Sequence, residues 1–118
     1  MKYLMFIKHD EASRGLPIPK ALNDAMGAFV EQGFKSGVLV QTDGLKATDK
    51  GFRIRSRGGK LTWTDGPFTE AKEVIGGFAI VDVKSNEEAR EVARQFMEIH
   101  RVHWPEFECE CECRPFDS

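Results

Sequence analysis

Residues 74–83 read VIGGFAIVDV, and residues 2–7 read KYLMFI. In both stretches apolar residues follow one another instead of alternating with polar ones. Because successive side chains of a strand point to opposite faces of a sheet, each stretch predicts a strand that is apolar on both faces. Strands of this kind lie at the centre of a sheet, so these two stretches decide which fold the rest of the chain completes.

Two helices are predicted between the strands. After Pro19, apolar residues recur with helical spacing at Leu22, Ala25, Met26, Phe29 and Val30. This helix is expected to end near Gly37. A second helix is predicted to begin at Ser85, with Glu88 completing a capping box, and to end before Pro105.

Two further strands show the polar alternation that is typical of sheet edges. Residues 37–42 read GVLVQT, and residues 107–114 read FECECECR. In the second stretch Phe107 and the three cysteines share one face, and the glutamates and Arg114 share the other. The glutamates are expected to face solvent and to discourage pairing with other chains.

Residues 52–64, FRIRSRGGKLTWT, predict a β-hairpin, because a Gly-Gly pair separates two alternating segments by the length of a two-residue loop. The facing pairs in this register are Arg57 with Lys60, Ile54 with Trp63, and Phe52 with Asp65. The full order is then strand, helix, strand, inserted hairpin, strand, helix, strand. This order predicts an α+β fold with the split βαβ topology of ferredoxin-like proteins, in which the two apolar strands are central.

The composition fits one domain over residues 1–118. The chain has 41% apolar and 31% charged residues, and its net charge of -2 argues against a nucleic-acid partner. No stretch approaches the ~20 apolar residues of a membrane span, and the N-terminus does not resemble a signal peptide, so we expect a cytoplasmic protein. Three closely spaced cysteines predict reduced thiols instead of a disulfide framework.

The central strands bring apolar side chains to both faces of the sheet, and two helices cover only one face. An uncovered apolar face is usually an association surface, so a homodimer is expected. Two sheets packed face to face would leave clefts in which a small molecule could bind.

Asp65 is the first candidate for chemistry, because a carboxylate at a strand end before Gly66 and Pro67 could serve a cleft as general acid or base. The alternative is that Asp65 only caps backbone N–H groups of a turn. Phe68 would form an apolar wall of the cleft, and Trp63 would either line it or fill the core.

The histidines are the other candidates. His100 and His103 lie three residues apart and could face one metal ion, with Glu106 or a cysteine as the third ligand. His100, however, falls on the apolar stripe of its helix, where a packed histidine is more common. We therefore expect neither a metal nor a cofactor. His9, placed just past the first strand, could contribute to ligand binding at the same end of the sheet.

The stretch TDGPFTEAKEVIGGF resembles the hallmark of YCII-related proteins of the DGPF type, whose usual form reads Asp-Gly-Pro-Phe-Ala-Glu-Thr-Lys-Glu. The resemblance extends to MKYLMFIK, SGVLVQTDGL, RGGKLTWTDGPF and HRVHWPEFECECECR. Thr69 and Ala71 replace the usual Ala and Thr.

The resemblance implies a dimeric α+β barrel of ferredoxin-like subunits. It also implies a catalytic His and Asp pair, for which Asp65 matches the acid, and the histidine would have to be His9, His100 or His103. Some relatives resemble domains found beside extracytoplasmic-function sigma factors, so a non-enzymatic regulatory or interaction module is the alternative function.

Overall fold

The computed structural model of the protein describes residues 1–68 and 71–117. Thr69 and Glu70 of the hallmark stretch therefore lie outside the described residues. In chain order the strands and helices are β1 (Lys2–His9), α1 (Lys20–Ser36), β2 (Leu39–Gly44), β3 (Phe52–Arg57), β4 (Lys60–Asp65), β5 (Val74–Asp82), α2 (Asn86–His103) and β6 (Glu110–Pro115). Short 3-10 turns span Glu11–Gly15 and Thr48–Lys50.

The main sheet has four antiparallel strands in the order β2-β5-β1-β6. The predicted central strands, β1 and β5, are central, and the predicted edge strands, β2 and β6, are at the edges. The ferredoxin-like α+β fold predicted from the sequence is confirmed. Within the described part of the chain, no helix is both long and apolar enough to cross a membrane.

The helix ends follow their sequence signals. Gly37 ends α1 in the left-handed conformation, at φ 80°, which glycine adopts without steric cost. At the start of α2, Ser85 Oγ accepts a hydrogen bond from the Glu88 backbone N–H at 3.1 Å. The Glu88 carboxylate accepts from the N–H of Lys84, at 3.0 Å, so the capping box closes one residue earlier than in its usual form.

The two faces of the main sheet differ in what covers them. On the helix side, Tyr3, Met5 and Val81 pack with Val83 and Ala89 into a buried cluster. Strand alternation places Leu4, Phe6, Phe78 and Ile80 on the opposite side, where they are half-buried. Leu4 pairs with Ile80, and Phe6 with Phe78, across β1 and β5. We call the side with these four residues the open sheet face.

Several strand boundaries differ from those predicted, and β2 spans Leu39–Gly44 instead of residues 37–42. β1 continues through Lys8 to His9, because Lys8 is neutralised on the open sheet face by Glu112, at 2.9 Å. β6 begins at Glu110, which pairs with Lys8 near the end of β1, so the strand has little partner backbone before that residue. Phe107 instead stacks on Trp104, with ring centroids 4.3 Å apart.

The hairpin of β3 and β4 forms a separate two-stranded sheet with the predicted register throughout. Its turn places Gly58 at φ 57° and Gly59 at φ 78°, a conformation that explains why both residues are glycine. We call residues 52–65 the hairpin arm. Its apolar face carries Phe52, Ile54, Leu61 and Trp63, and its basic face carries Arg53, Arg55, Arg57 and Lys60.

Candidate functional site

A cavity of about 710 Å³ lies between the two helices and the covered side of the sheet. We call it the helix–sheet cavity. Its apolar lining includes Ile7, Met26, Phe29, Val30, Val92 and Phe96. Protein interiors seldom contain voids larger than a water molecule, and ligand sites measure roughly 300 to 1,000 Å³, so this space has the size of a site for a small organic molecule.

His100 supplies a polar group to this cavity. It is buried in the last turns of α2, and its ring packs on Phe96 with centroids 4.5 Å apart. His100 Nδ1 lies 2.9 Å from the Phe96 carbonyl oxygen, so Nδ1 carries the proton and donates to that oxygen. In the neutral ring Nε2 is then the acceptor, available to an O–H or N–H group of a ligand.

His9 lies behind one end of the same cavity. The pairing of β1 with β5 shifts register between Ile7 and Lys8, which leaves Gly76 as an extra residue in a β-bulge. Gly76 lines the cavity, and a Cβ atom there would lie 2.7 Å from His9 Nε2. His9 Nδ1 donates to the Asp10 carbonyl oxygen at 2.7 Å. The glycine thus makes room for a buried imidazole.

A second cavity, of about 440 Å³, lies beside the base of the hairpin arm. We call it the corner cavity. Its lining includes Phe6, Lys8, Thr48, Arg53, Phe68 and Glu73. The Arg53 guanidinium lies 3.9 Å from the centroid of the Phe68 ring, a cation–π contact. Lys8 is held by Glu73 at 2.8 Å, and the hydrogen bonds that Lys8 Nζ donates to the carboxylates of Glu73 and Glu112 raise the Lys8 pKa.

The Asp-Gly-Pro-Phe corner is docked on the Thr48–Lys50 turn. The Phe68 N–H donates to Thr48 Oγ1 at 3.2 Å, and this hydroxyl donates to Glu11 Oε1 at 2.8 Å. The Gly66 N–H donates to the Gly51 carbonyl oxygen at 2.9 Å. Glu11 and Thr48 were not among the predicted residues, because isolated polar residues in loops have no periodicity that would indicate their partners.

The predicted site residues are divided among several places. Phe68 is buried in the corner cavity, whereas His100 lies in the helix–sheet cavity. Asp65 is exposed at the end of β4, and among the described residues it lines neither cavity. Trp63 is 64% exposed on the hairpin arm, and His103 is half-buried at the end of α2. The acid or base role of Asp65 stays a prediction.

All three cysteines are free thiols. Cys111 Sγ and Cys113 Sγ are 3.8 Å apart on the helix side of β6. The hydrogen bond between them lowers the pKa of Cys113 and raises that of Cys111. No group of three or more His, Cys, Asp or Glu side chains in residues 1–68 and 71–117 is placed to hold a metal ion.

A four-stranded antiparallel sheet, two helices on one side and a hairpin inserted before the third strand of that sheet define a ferredoxin-like α+β protein with a ligand-sized cavity. Residues 1–100 match the YCII-related domain, and the chain belongs to that family. A search of the curated proteins found no match.

Proposed function

We propose that this protein binds a small, largely apolar molecule in the helix–sheet cavity. The observation that carries the proposal is the cavity of about 710 Å³ with an apolar lining and one buried imidazole. A ligand with an aromatic or aliphatic body would restore the contacts that a void denies to its lining. A single hydroxyl or amine group on that body would donate to His100 Nε2.

The experiment compares 1-naphthol with 1-methoxynaphthalene by isothermal titration calorimetry, because the two differ mainly in the hydrogen-bond donor. The wild-type protein should bind 1-naphthol once per chain and bind the ether more weakly. A hydrogen bond of about 1 kcal/mol corresponds to roughly a fivefold difference in affinity. In the His100→Phe variant this preference should vanish.

Two substitutions on α1 locate the site. Val30→Trp places a large side chain in the cavity and should abolish binding, whereas Phe34→Trp lies on an exposed part of the same helix and should leave binding unchanged. Binding of 1-naphthol that survives Val30→Trp would contradict the proposal.

We also propose that the protein is a homodimer that associates through the open sheet face. Leu4, Phe6, Phe78 and Ile80 form two adjacent cross-strand pairs there, on the side of the sheet opposite the helices. A second copy would remove these side chains from water. Light scattering should give the mass of two chains, and Phe78→Arg should give the mass of one. The control Val102→Arg changes a residue of α2 that is already 54% exposed and should leave the dimer intact.

A non-enzymatic interaction module is the second candidate function, and the hairpin arm favours it. The rings of Phe52 and Trp63 pack against each other at a tilted angle with centroids 5.4 Å apart, yet both are more than 60% exposed. A two-stranded ribbon with exposed aromatic side chains has the features of a contact surface for another protein. If calorimetry detects no binding of 1-naphthol to the wild-type protein or to the variants at Val30 and His100, the interaction function replaces ligand binding as the proposal.

A further inference from the structure

We propose that the hairpin arm of each subunit lies across the open sheet face of a second copy of this chain, with its apolar face against that sheet. This inference rests on the proposed homodimer and names the surfaces that meet. One two-fold rotation would then cover two apolar surfaces at once, since the arm of each copy contacts the sheet of the other.

The arm exposes its apolar side chains to an unusual extent. Phe52 is 63%, Ile54 47%, Leu61 67% and Trp63 64% exposed. An isolated two-stranded hairpin is marginally stable in water, so an arm of this composition needs a surface to pack on. Singly exposed apolar residues need no explanation, but four on one face of one hairpin form a patch.

The orientation of the arm directs this patch away from its own subunit. Arg53, on the basic face, lies over Phe68 beside the corner cavity, which also includes Phe6 of the open sheet face. At the base of the arm the basic face therefore turns toward Phe68 of its own subunit, and the apolar face of the hairpin points the opposite way. A second sheet facing the first would meet the apolar face of the arm.

The areas are consistent with a stable dimer. At ~200 Å² for a large buried side chain, the four fractional exposures correspond to roughly 500 Å² of side chain per arm. Two arms would bury roughly 1,000 Å² of their own surface, and the sheet surfaces beneath them add to this area, so that the total reaches the range of specific protein interfaces. The arm therefore supplies enough area to hold the dimer.

Charges at the rim of this contact are complementary. Arg57 and Lys60 flank the turn at the tip of the arm, and neither is paired with a carboxylate among the described residues. On β6, at the edge of the open sheet face, the Glu110 side chain is 70% exposed, and Glu108 is exposed beside it. Long basic side chains at the tip can reach such a rim while the apolar face is covered.

The contact between the arm of one subunit and the sheet of the other also involves Asp65. Asp65 faces Phe52 in the hairpin register, so its side chain is on the apolar face, at the base of the arm. When that face is covered, Asp65 and Trp63 become part of a surface formed by both subunits. Residues predicted for a ligand cleft, yet separate from the cavities of one subunit, would then lie at the interface.

Sedimentation velocity over a range of concentrations tests the inference. The double variant Leu61→Ser/Trp63→Ser should raise the dimer dissociation constant at least a hundredfold, because each dimer loses four buried apolar side chains. The matched control Arg55→Ser/Thr62→Ser changes the other face of the same arm and should dimerise as the wild type does. If the double variant dimerises like the wild type, the arm contact is wrong but the proposed homodimer is not contradicted. If the wild-type protein is a monomer, both proposals are wrong.

Cross-linking provides a test that does not depend on affinity. In a background in which Cys109, Cys111 and Cys113 are replaced by serine, a Leu61→Cys protein is mixed with an Ile80→Cys or a Leu4→Cys protein under mild oxidation by oxygen. Disulfide-linked heterodimers should form in at least one mixture, and Arg55→Cys should form none with either partner. If the protein is dimeric but Leu61→Cys forms no cross-link in either mixture, the proposed contact between the arm and the partner's sheet is wrong.

Discussion

Replacing Gly66 by alanine should be the most damaging small substitution in the Asp-Gly-Pro-Phe corner. A Cβ atom on Gly66 would lie 1.7 Å from the Thr48 carbonyl oxygen and 2.6 Å from its carbon. Both are backbone atoms of a 3-10 turn, so no side-chain rotation can relieve the overlap. The corner and the turn must separate by more than 1 Å before the contact becomes tolerable.

This separation would break the two hydrogen bonds that dock the corner, from Gly66 to Gly51 and from Phe68 to Thr48. At about 1 kcal/mol each, their loss costs about 2 kcal/mol. Partial exposure of Phe68, which is 8% exposed in the fold, adds to that cost. We expect Gly66→Ala to lower the free energy of unfolding by about 2 to 4 kcal/mol.

Urea denaturation followed by tryptophan fluorescence measures this loss, and a thermal melt should show a fall of roughly 4 °C for each kcal/mol. Gly51→Ala is the matched control, because its Cβ atom would lie 3.6 Å from the same Thr48 oxygen, an ordinary contact. The control should change stability by less than about 1 kcal/mol. A Gly66→Ala protein within about 0.5 kcal/mol of the wild type would refute the reasoning.

Three other outcomes are expected. Asp65→Asn should have the same melting temperature as the wild type, since this exposed carboxylate makes no side-chain hydrogen bond to a described residue. A large loss of stability would show instead that Asp65 stabilises the turn. Iodoacetamide near neutral pH should modify Cys113 before Cys109, whose pKa is raised by burial. Cys111→Ala, which removes the hydrogen-bond donor, should remove that preference, as peptide mass spectrometry would show. Hydrogen bonds from Arg94 lower the Glu91 pKa to about 2, so its contribution to stability is present above pH 4.5 and is lost as the pH falls toward 2. Glu91→Gln should therefore reduce the fall of the melting temperature between those pH values, while other carboxylates such as Glu98 maintain the rest of it, and an unchanged acid slope would contradict this.

The fold could be predicted because its signals are local and repetitive. The doubly apolar stretches identified β1 and β5 as central, and the Gly-Gly pair set every cross-strand pair of the hairpin. Each signal depends on a fixed geometric period or on a backbone conformation that few residues adopt. The predicted strand ends were less accurate where contacts between strands determine them, as at Lys8, which forms an ion pair with Glu112, and at the start of β6.

The candidate site could be predicted only in part, because a cavity is defined by gaps between distant elements. The sequence indicated a cleft on the open sheet face, whereas the larger cavity lies on the covered side. His100 was among the candidates, since it is an ionisable residue on the apolar face of a predicted helix. The link from Glu11 through Thr48 to Phe68 joins three separate segments, and no spacing along the chain would reveal it.

The stretch VIGGFAIVDV that fixes β5 at the centre of the sheet also carries two glycines, Gly76 and Gly77, at the wall of the helix–sheet cavity. A Cβ atom on Gly76 would lie 2.7 Å from His9 Nε2, and one on Gly77 would lie 3.0 Å from the Asp43 carbonyl oxygen of β2. At the other side of the cavity, Gly33 lets α1 approach β2 closely, because a Cβ atom there would lie 2.9 Å from that of Leu39. All three glycines therefore permit close packing around the cavity, and the positions of α1, β2 and His9 beside it depend on them.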